Sequence, residues 1–343
     1  MSGGAPAPGP AETAAAAAPR RVLVTGASGF VGGHVADRFA RAGWAVRCLV
    51  RATSSRQWLE PLGAEFVIGD VAGSRGLAEA CAGCDTVVHC AGITNAVHPS
   101  EYQRVNAEGT FRLWLAAEAA GVRRFVLISS LAAAGPSRGP APQDESAAPQ
   151  PVNAYGRSKL EGEQIVLGVG GGPVEAVVVR PPAVYGPRDA DFLTLFRAAA
   201  RGWFPRIGGG PRTLSLVHAV DLAEGIFLAA QRGAAGRVYY VTDGAAHDLG
   251  EMAEGMGAAL GRRVRPLPLP FAALWLGAVV GEAQSALLRR PGVLGFDRLK
   301  QFSRTGWTAS DARARLELGY RSRYDLRSGM EDTVRWYRSV GWI

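Results

Sequence analysis

The 343-residue chain predicts an α/β protein, a doubly wound parallel sheet with a smaller, mostly helical C-terminal part. Three observations lead there. Short runs rich in Val and Ile recur without polar alternation, as in strands buried on both faces. Stretches of helix length separate them. The first run passes through a glycine-spaced turn directly into a helical pattern.

Residues 1–20 are almost wholly Ala, Pro and Gly and lack the apolar core of a secretory signal, so they read as a disordered leader. Val22-Leu23-Val24-Thr25 then runs into Gly26-Ala27-Ser28-Gly29-Phe30-Val31-Gly32. The three glycines serve a turn at positive φ, close approach of backbone to phosphate, and tight helix-on-strand packing. The helix that follows points free N–H groups and its positive dipole end at the turn, which suits a pyrophosphate. Val31, Val35 and Phe39 form its apolar stripe, Gly43 stops it, and the run from Ala45 to Val50 completes a βαβ unit. That context separates a Rossmann dinucleotide site from a chance glycine-rich loop in a chain with 45 Gly.

Further strands are expected at 65–68, 86–90, 124–129 and 174–179, with helices at 75–82, 101–120 and 154–167. Beyond Arg180, prolines and Gly208 to Gly210 punctuate the chain; no Gly-Lys-Ser/Thr follows the triple glycine, so it is not a phosphate loop. A helix at 221–232 and a strand at 238–241 are expected to return to the sheet. Helices at 249–260, 271–288, 310–318 and 326–339 follow. The expected division is a dinucleotide-binding domain over 21–180, rejoined by 213–245, and a substrate-binding part over 181–212 and 246–343.

Composition narrows the partners. The 48% hydrophobic content supports a large core, and no run of 18 apolar residues spans a membrane. Leu269 to Gly281 reads as a buried helix in preference to an interfacial one over 269–290. Cys48, Cys81, Cys84 and Cys90 without a signal imply a reducing, cytoplasmic location. Cys81-Ala-Gly-Cys84 has no second pair or His to complete a zinc site and reads as packing, so no metal is expected. The +8 charge is arginine's, since Lys159 and Lys300 are the only lysines. Without a Lys/Arg block, nucleic acid is not an expected partner.

The chemistry gathers at strand ends, where ligands of open α/β sheets bind. Asp70, followed by Val71, closes the third strand and suits the adenine amino group, or serves as an ordinary turn residue. Ala91-Gly92 follow the fourth. The second strand ends in Arg51 where an NAD-selective site would carry an acid, so NADP is favoured over NAD, with Arg56 able to assist. Ser129-Ser130 follow the fifth strand, and Tyr155 and Lys159 lie four apart on one helical face. A phenol titrates near about 10, so a neighbouring ammonium would make Tyr155 a better acid or base at neutral pH. Ser130 would hydrogen-bond the same substrate oxygen.

The stretch 25–32, Tyr155-x-x-x-Lys159 and Arg180-Pro-Pro-Ala-Val-Tyr-Gly-Pro187 resemble the extended short-chain dehydrogenase/reductases, or NAD-dependent epimerase/dehydratase family, from about Arg21 to the C-terminus. The resemblance implies that Ser130, Tyr155 and Lys159 are catalytic, with Lys159 also holding the nicotinamide ribose. It implies that Asn106 is the helix Asn near the active site, that Pro182 and Val184 line the nicotinamide end, and that the enzyme is a homodimer through the helices at 101–120 and 154–167. Arg51 and the stretch 130–136 look like the 3β-hydroxysteroid dehydrogenase and dihydroflavonol reductase branch. Nucleotide-sugar enzymes of the family commonly place an Arg four residues before the His of His-x-x-Asp; here His218-Ala-Val-Asp221 is preceded by Leu214, with Arg212 two residues earlier. The expected function is therefore NAD(P)-dependent reduction or oxidation of a largely apolar ketone or alcohol. The alternatives are a nucleotide-sugar epimerase or dehydratase, and a non-catalytic dinucleotide-binding protein, which would not need the Tyr/Lys pair. His98, Glu101, Tyr102, Tyr185 and Trp203 are candidate pocket residues.

Overall fold

Strands that are apolar at every position must be covered on both faces. The computed structural model, which describes residues 20–139, 141–168, 172–207, 212–288 and 295–343, does this with two helical layers. Residues 1–19 of the expected leader, the triple glycine and the pair Arg289-Arg290 lie outside the described residues.

Among those described, seven parallel strands form the central sheet: β1 (Arg21–Thr25), β2 (Ala45–Val50), β3 (Glu65–Ile68), β4 (Thr86–His89), β5 (Arg124–Ile128), β6 (Glu175–Arg180) and β11 (Arg237–Tyr240). Their order is β11-β6-β5-β4-β1-β2-β3. The reversal of direction at β1 and β4 opens a crevice at the carboxyl ends, where the glycine turn lies. Period-two alternation sorts the core. Val22 and Val24 pack with Val35 and Phe39 of α1 (Phe30–Arg41) and Leu222 and Ile226 of α8 (Ala219–Arg232). Leu23 and Phe125 face the other layer: α2 (Leu77–Cys81), α4 (Glu108–Ala119) and α6 (Ala154–Gly168).

The expected helix at 101–120 is instead α3 (Pro99–Tyr102), a π turn at Gln103–Ala107, and α4. Such bulges put an extra residue into the helix and often re-aim a functional side chain; here that residue run contains Asn106. The helix at 310–318 likewise closes in a π turn, Ala314–Leu318.

A short helix, α5 (Leu131–Ala134), lies between β5 and α6; after β6, β7 (Ala183–Tyr185) pairs in parallel with β10 (Leu216–His218). β8 (Trp203–Ile207) pairs with β13 (Arg265–Leu269), and β9 (Thr213–Leu214) lies between β12 (His247–Asp248) and β14 (Gly306–Trp307). A third apolar cluster joins α7 (Leu193–Ala200), α9 (Leu249–Leu260) and α12 (Leu326–Ser339) around Tyr185, Phe196, Met256 and Tyr337.

Helix α10 (Phe271–Leu288) forms over the expected residues but is not buried. Trp275 is 53% exposed, Leu276 60% and Leu287 82%. Only its small side, with Ala278, Gly281 and Ser285, turns inward, because the helix is apolar all round and packs chiefly on α11 (Phe296–Phe302).

One interaction that periodicity could not announce ties α6 to the sheet. Glu163 of α6 accepts from Arg180 Nε at 2.9 Å and Nη2 at 2.5 Å, and both side chains are buried. Ser129 donates to the same carboxylate, and Arg180 Nη1 reaches the Tyr240 hydroxyl at 3.3 Å. Replacing Glu163 by Ala leaves a buried guanidinium uncompensated, so urea unfolding is expected to show a loss of about 3–5 kcal/mol. A loss below about 1 kcal/mol would mean that Arg180 reaches other partners.

Candidate active site

The glycine turn is built as its sequence requires. Gly26 sits at φ +69°, and a Cβ there would lie 2.7 Å from Ala91 N, while one at Gly32 would lie 2.2 Å from Gly26 O. Gly29 is the N-cap of α1; no side chain caps the helix and no acid stands in its first turn. Ser28 and Gly29 are exposed beside it, with Phe30 and Val31 half-buried. Free N–H groups, an unopposed dipole end and a cradle that only glycine leaves open fit the pyrophosphate of a dinucleotide. Arg188, at φ 70°, stacks on Trp58, and its Nη1 lies 3.5 Å from where a Gly33 Cβ would stand, adding positive charge along this helix.

The flanking strand ends lie as expected. Arg51 is exposed just beyond β2, in a turn closed by Ser54 N donating to its carbonyl at 2.9 Å. Arg56 lies over the Phe66 ring. Asp70 is exposed, but one carboxylate oxygen accepts from Ala72 N at 2.9 Å and caps the turn at Val71–Gly73, with Val71 buried. The turn-residue reading of Asp70 is therefore realised.

Ser130, Tyr155, Lys159, Asn106 and Gly92 meet at the crevice. Ser130 is the N-cap of α5, its Oγ accepting from Ala132 N at 3.1 Å, and it lies beside the Tyr155 side chain. Pro181 O, just before the buried Pro182, accepts from Leu131 N at 2.8 Å and brings the end of β6 and Val184 of β7 alongside. Lys159 Nζ donates to Ile128 O at 2.6 Å, and a Cβ on Gly92 would lie 3.7 Å from it and 3.0 Å from Asn106 Oδ1.

Asn106 is a bracket. Its Oδ1 accepts from Ile93 N at 2.9 Å, while its Nδ2 donates to Ile93 O at 3.1 Å and to Ser158 Oγ at 3.0 Å. The loop after β4 is thereby fixed to the helix turn between Tyr155 and Lys159.

Electrostatics corrects one expectation. Burial pushes the Tyr155 phenol up from its usual value, opposed by the Ser130 hydrogen bond. Burial lowers the Lys159 ammonium to about 8, opposed by Glu163. The phenol is thus raised rather than lowered, because it is desolvated and the ammonium is engaged with the Ile128 carbonyl.

Several participants gave no sequence signal. Ala91 N donates to Thr25 Oγ1 at 3.2 Å, Thr25 Oγ1 meets His89 Nδ1 at 2.7 Å, His89 Nε2 meets Thr110 Oγ1 at 3.0 Å, and Thr110 donates to Asn106 O at 2.6 Å. The terminal carbonyl can only accept, so the chain orders itself: Thr110 accepts from His89 Nε2–H, and Thr25 donates to Nδ1. Burial holds His89 near 3, neutral as this requires. Asp297 of α11 accepts from Ala154 N at 2.8 Å and Tyr155 N at 3.3 Å, capping α6 from far along the chain. Among the pocket candidates, the Tyr102 ring lies 6.0 Å from that of Tyr155. Tyr185 is fully buried in the third cluster, and Trp203 is exposed on β8; His98 and Glu101 cap α3. Cys81 and Cys84 are buried free thiols, and no group of side chains among the described residues could hold a metal ion.

Comparison with known proteins agrees with this geometry. A profile of the NAD dependent epimerase/dehydratase family matches residues 22–242. A ceramide reductase of Caulobacter vibrioides is 32% identical, covering 94% of this chain and 96% of that protein. A 4-hydroxy-2-methyl-3-oxo-4-farnesyl-3,4-dihydroquinoline-1-oxide ketoreductase of Stigmatella aurantiaca is 32% identical, covering 91% and 95%. The structure of MoeE5 in complex with UDP-glucuronic acid and NAD superposes with a TM-score of 0.73 at 27% identity, covering 93% of this chain and 99% of that one. The chain belongs to the NAD-dependent epimerase/dehydratase family and is an NAD(P)-dependent oxidoreductase of the extended short-chain dehydrogenase/reductase type.

Proposed function

We propose that the protein is an NADP(H)-dependent carbonyl reductase or hydroxyl dehydrogenase for a largely apolar substrate. The observation that carries this is the meeting of Ser130, at the end of β5, with the Tyr155 side chain, and of Lys159 one turn along α6. A bound nicotinamide dinucleotide supplies the hydride donor or acceptor. Tyr155 O–H donates its proton to the substrate carbonyl oxygen in reduction and takes it back in oxidation. Ser130 hydrogen-bonds the same oxygen as charge develops. Lys159, kept cationic by Glu163, holds the ribose hydroxyls, and Asn106 fixes the helix turn between the two. Residues 181–212 and 246–343 hold the substrate.

Two features support this branch over nucleotide-sugar chemistry. Leu214 stands where a diphosphate-binding Arg is commonly found, and Arg212 donates to the backbone carbonyls of Phe302 and Arg304. The curated relatives named above are reductases of hydrophobic compounds. Exposed Arg51 supports the 2′-phosphate preference, and exposed Phe111 and Leu115 on α4 suit a homodimer packed through α4 and α6. The reducing compartment implied by four free thiols is the cytoplasm.

Tyr155→Phe is expected to lower turnover about 10²-fold or more while cofactor binding, followed by fluorescence, persists; unchanged turnover would remove Tyr155 as the acid. Arg51→Asp is expected to raise the KM for NADP about tenfold or more and leave that for NAD unchanged or lower. Equal effects on both cofactors would place the 2′-phosphate elsewhere. Because the phenol is raised, it stays protonated at neutral pH: reduction is expected to be level across the neutral range, and oxidation to climb with rising pH as a growing fraction of the phenol ionises. An oxidation profile flat from about pH 6 to 9 would contradict this.

A further inference from the structure

Helix α10 presents apolar side chains to solvent over most of its circumference, Trp275, Leu276, Val280, Leu287 and Leu288 all being about half exposed or more. Its one acid, Glu282, accepts from Phe296 N at 3.2 Å and so faces α11. The sequence that flanks this helix is cationic. Between Glu254 and Asp297 the sequence carries Arg262, Arg263, Arg265, Arg289 and Arg290, and no acid besides Glu282. Arg262, Arg263 and Arg265 are exposed, as are Lys300 and Arg304 beyond α11. Trp203 and Leu267, on the paired strands β8 and β13 that precede the helix, are exposed apolar residues as well.

An apolar helix with tryptophan on its face and arginines in its flanking sequence is suited to the headgroup region of a bilayer with anionic lipid. A second copy of the chain is a poorer fit, because a twofold contact would bring two sets of arginine-rich flanks together. No helix among the described residues is long and apolar enough to cross a membrane, so the contact is with one surface. The same layer adjoins the catalytic helix: the Trp275 ring lies 6.2 Å from Phe296, and the next residue, Asp297, accepts the Tyr155 N–H.

We propose that α10 docks the enzyme on an anionic lipid surface and brings the Tyr155 site beside the acyl layer. The docking stands on the surface alone; the benefit of placing an apolar ketone there rests on the proposed reductase activity.

The test is sedimentation with phosphatidylcholine vesicles, with and without about 30 mol% phosphatidylglycerol. The full chain is expected to sediment with the anionic vesicles only and to be released at about 0.5 M salt. The double variant Trp275→Asp, Leu276→Asp, at an unchanged melting temperature, is expected to bind about tenfold more weakly or less. Brominated acyl chains are expected to quench the fluorescence of the wild type more than that of Trp275→Phe. Absence of vesicle binding, equal binding by wild type and double variant, or conversion of a dimer to monomers by the double variant would overturn the proposal, the last by showing that a second copy covers α10. Tyr155→Phe is expected to sediment like the wild type, so a chain that binds vesicles but reduces no apolar ketone loses the reductase reading and keeps the docking.

Discussion

The site depends on how closely α6 is drawn onto the ends of β5 and β6. Gly156 and Gly162 let α6 come that far in past its helical neighbours, α5 and the π turn: a Cβ on the first would lie 2.3 Å from Ala132 O, and one on the second 2.9 Å from Asn106 O. At this separation the polar side chains of the same face must find partners, because there is no room for water to solvate them. Lys159 therefore ends on the Ile128 carbonyl, and Glu163 on Ser129 and Arg180. Close packing and buried charge are two parts of one constraint, and it places Tyr155 against Ser130.

That constraint also explains the tyrosine's acidity. Bringing α6 close desolvates both the phenol and the ammonium, and desolvation works against each charged form. The phenol is pushed up and the ammonium down, so the pair is biased towards neutral members, with Glu163 as the one carboxylate that holds Lys159 charged. A proton on Tyr155 is the natural resting state, the state that the proposed reduction requires.

Much of this was legible in the sequence, and what was legible was local. The glycine turn could be read because each glycine answers a steric need within a few residues, and Tyr155 and Lys159 because four residues make one helical turn. The π turn at Asn106 shifted a helix by a residue without changing its apolar pattern, so periodicity read straight through it. The chain Thr25, His89, Thr110 and Asn106 joins three elements by hydroxyls and an imidazole in otherwise apolar runs, where nothing distinguishes them from ordinary core polar residues. Asp297 lies more than 140 residues from the helix start it caps. Helix α10 misled for a different reason: an apolar run of helix length is compatible equally with a core and with a surface that has its own partner, and only the packing separates them.

The Asp297 cap gives the peripheral layer a hold on the chemistry. A carboxylate at the first N–H groups of a helix satisfies donors that otherwise need water and complements the dipole. Here it comes from α11, whose backbone at Phe296 is in turn held by Glu282 of α10. A displacement of α10 would therefore be felt first at the turn of α6 that carries Tyr155, before it reached Lys159 or the buried Glu163–Arg180 pair one and two turns deeper. The outer end of the catalytic helix is thus fastened to the exposed apolar layer and its inner end to the sheet. Motion at the surface would alter the approach of substrate to the phenol while leaving the cofactor cradle at α1, on the other side of the crevice, in place.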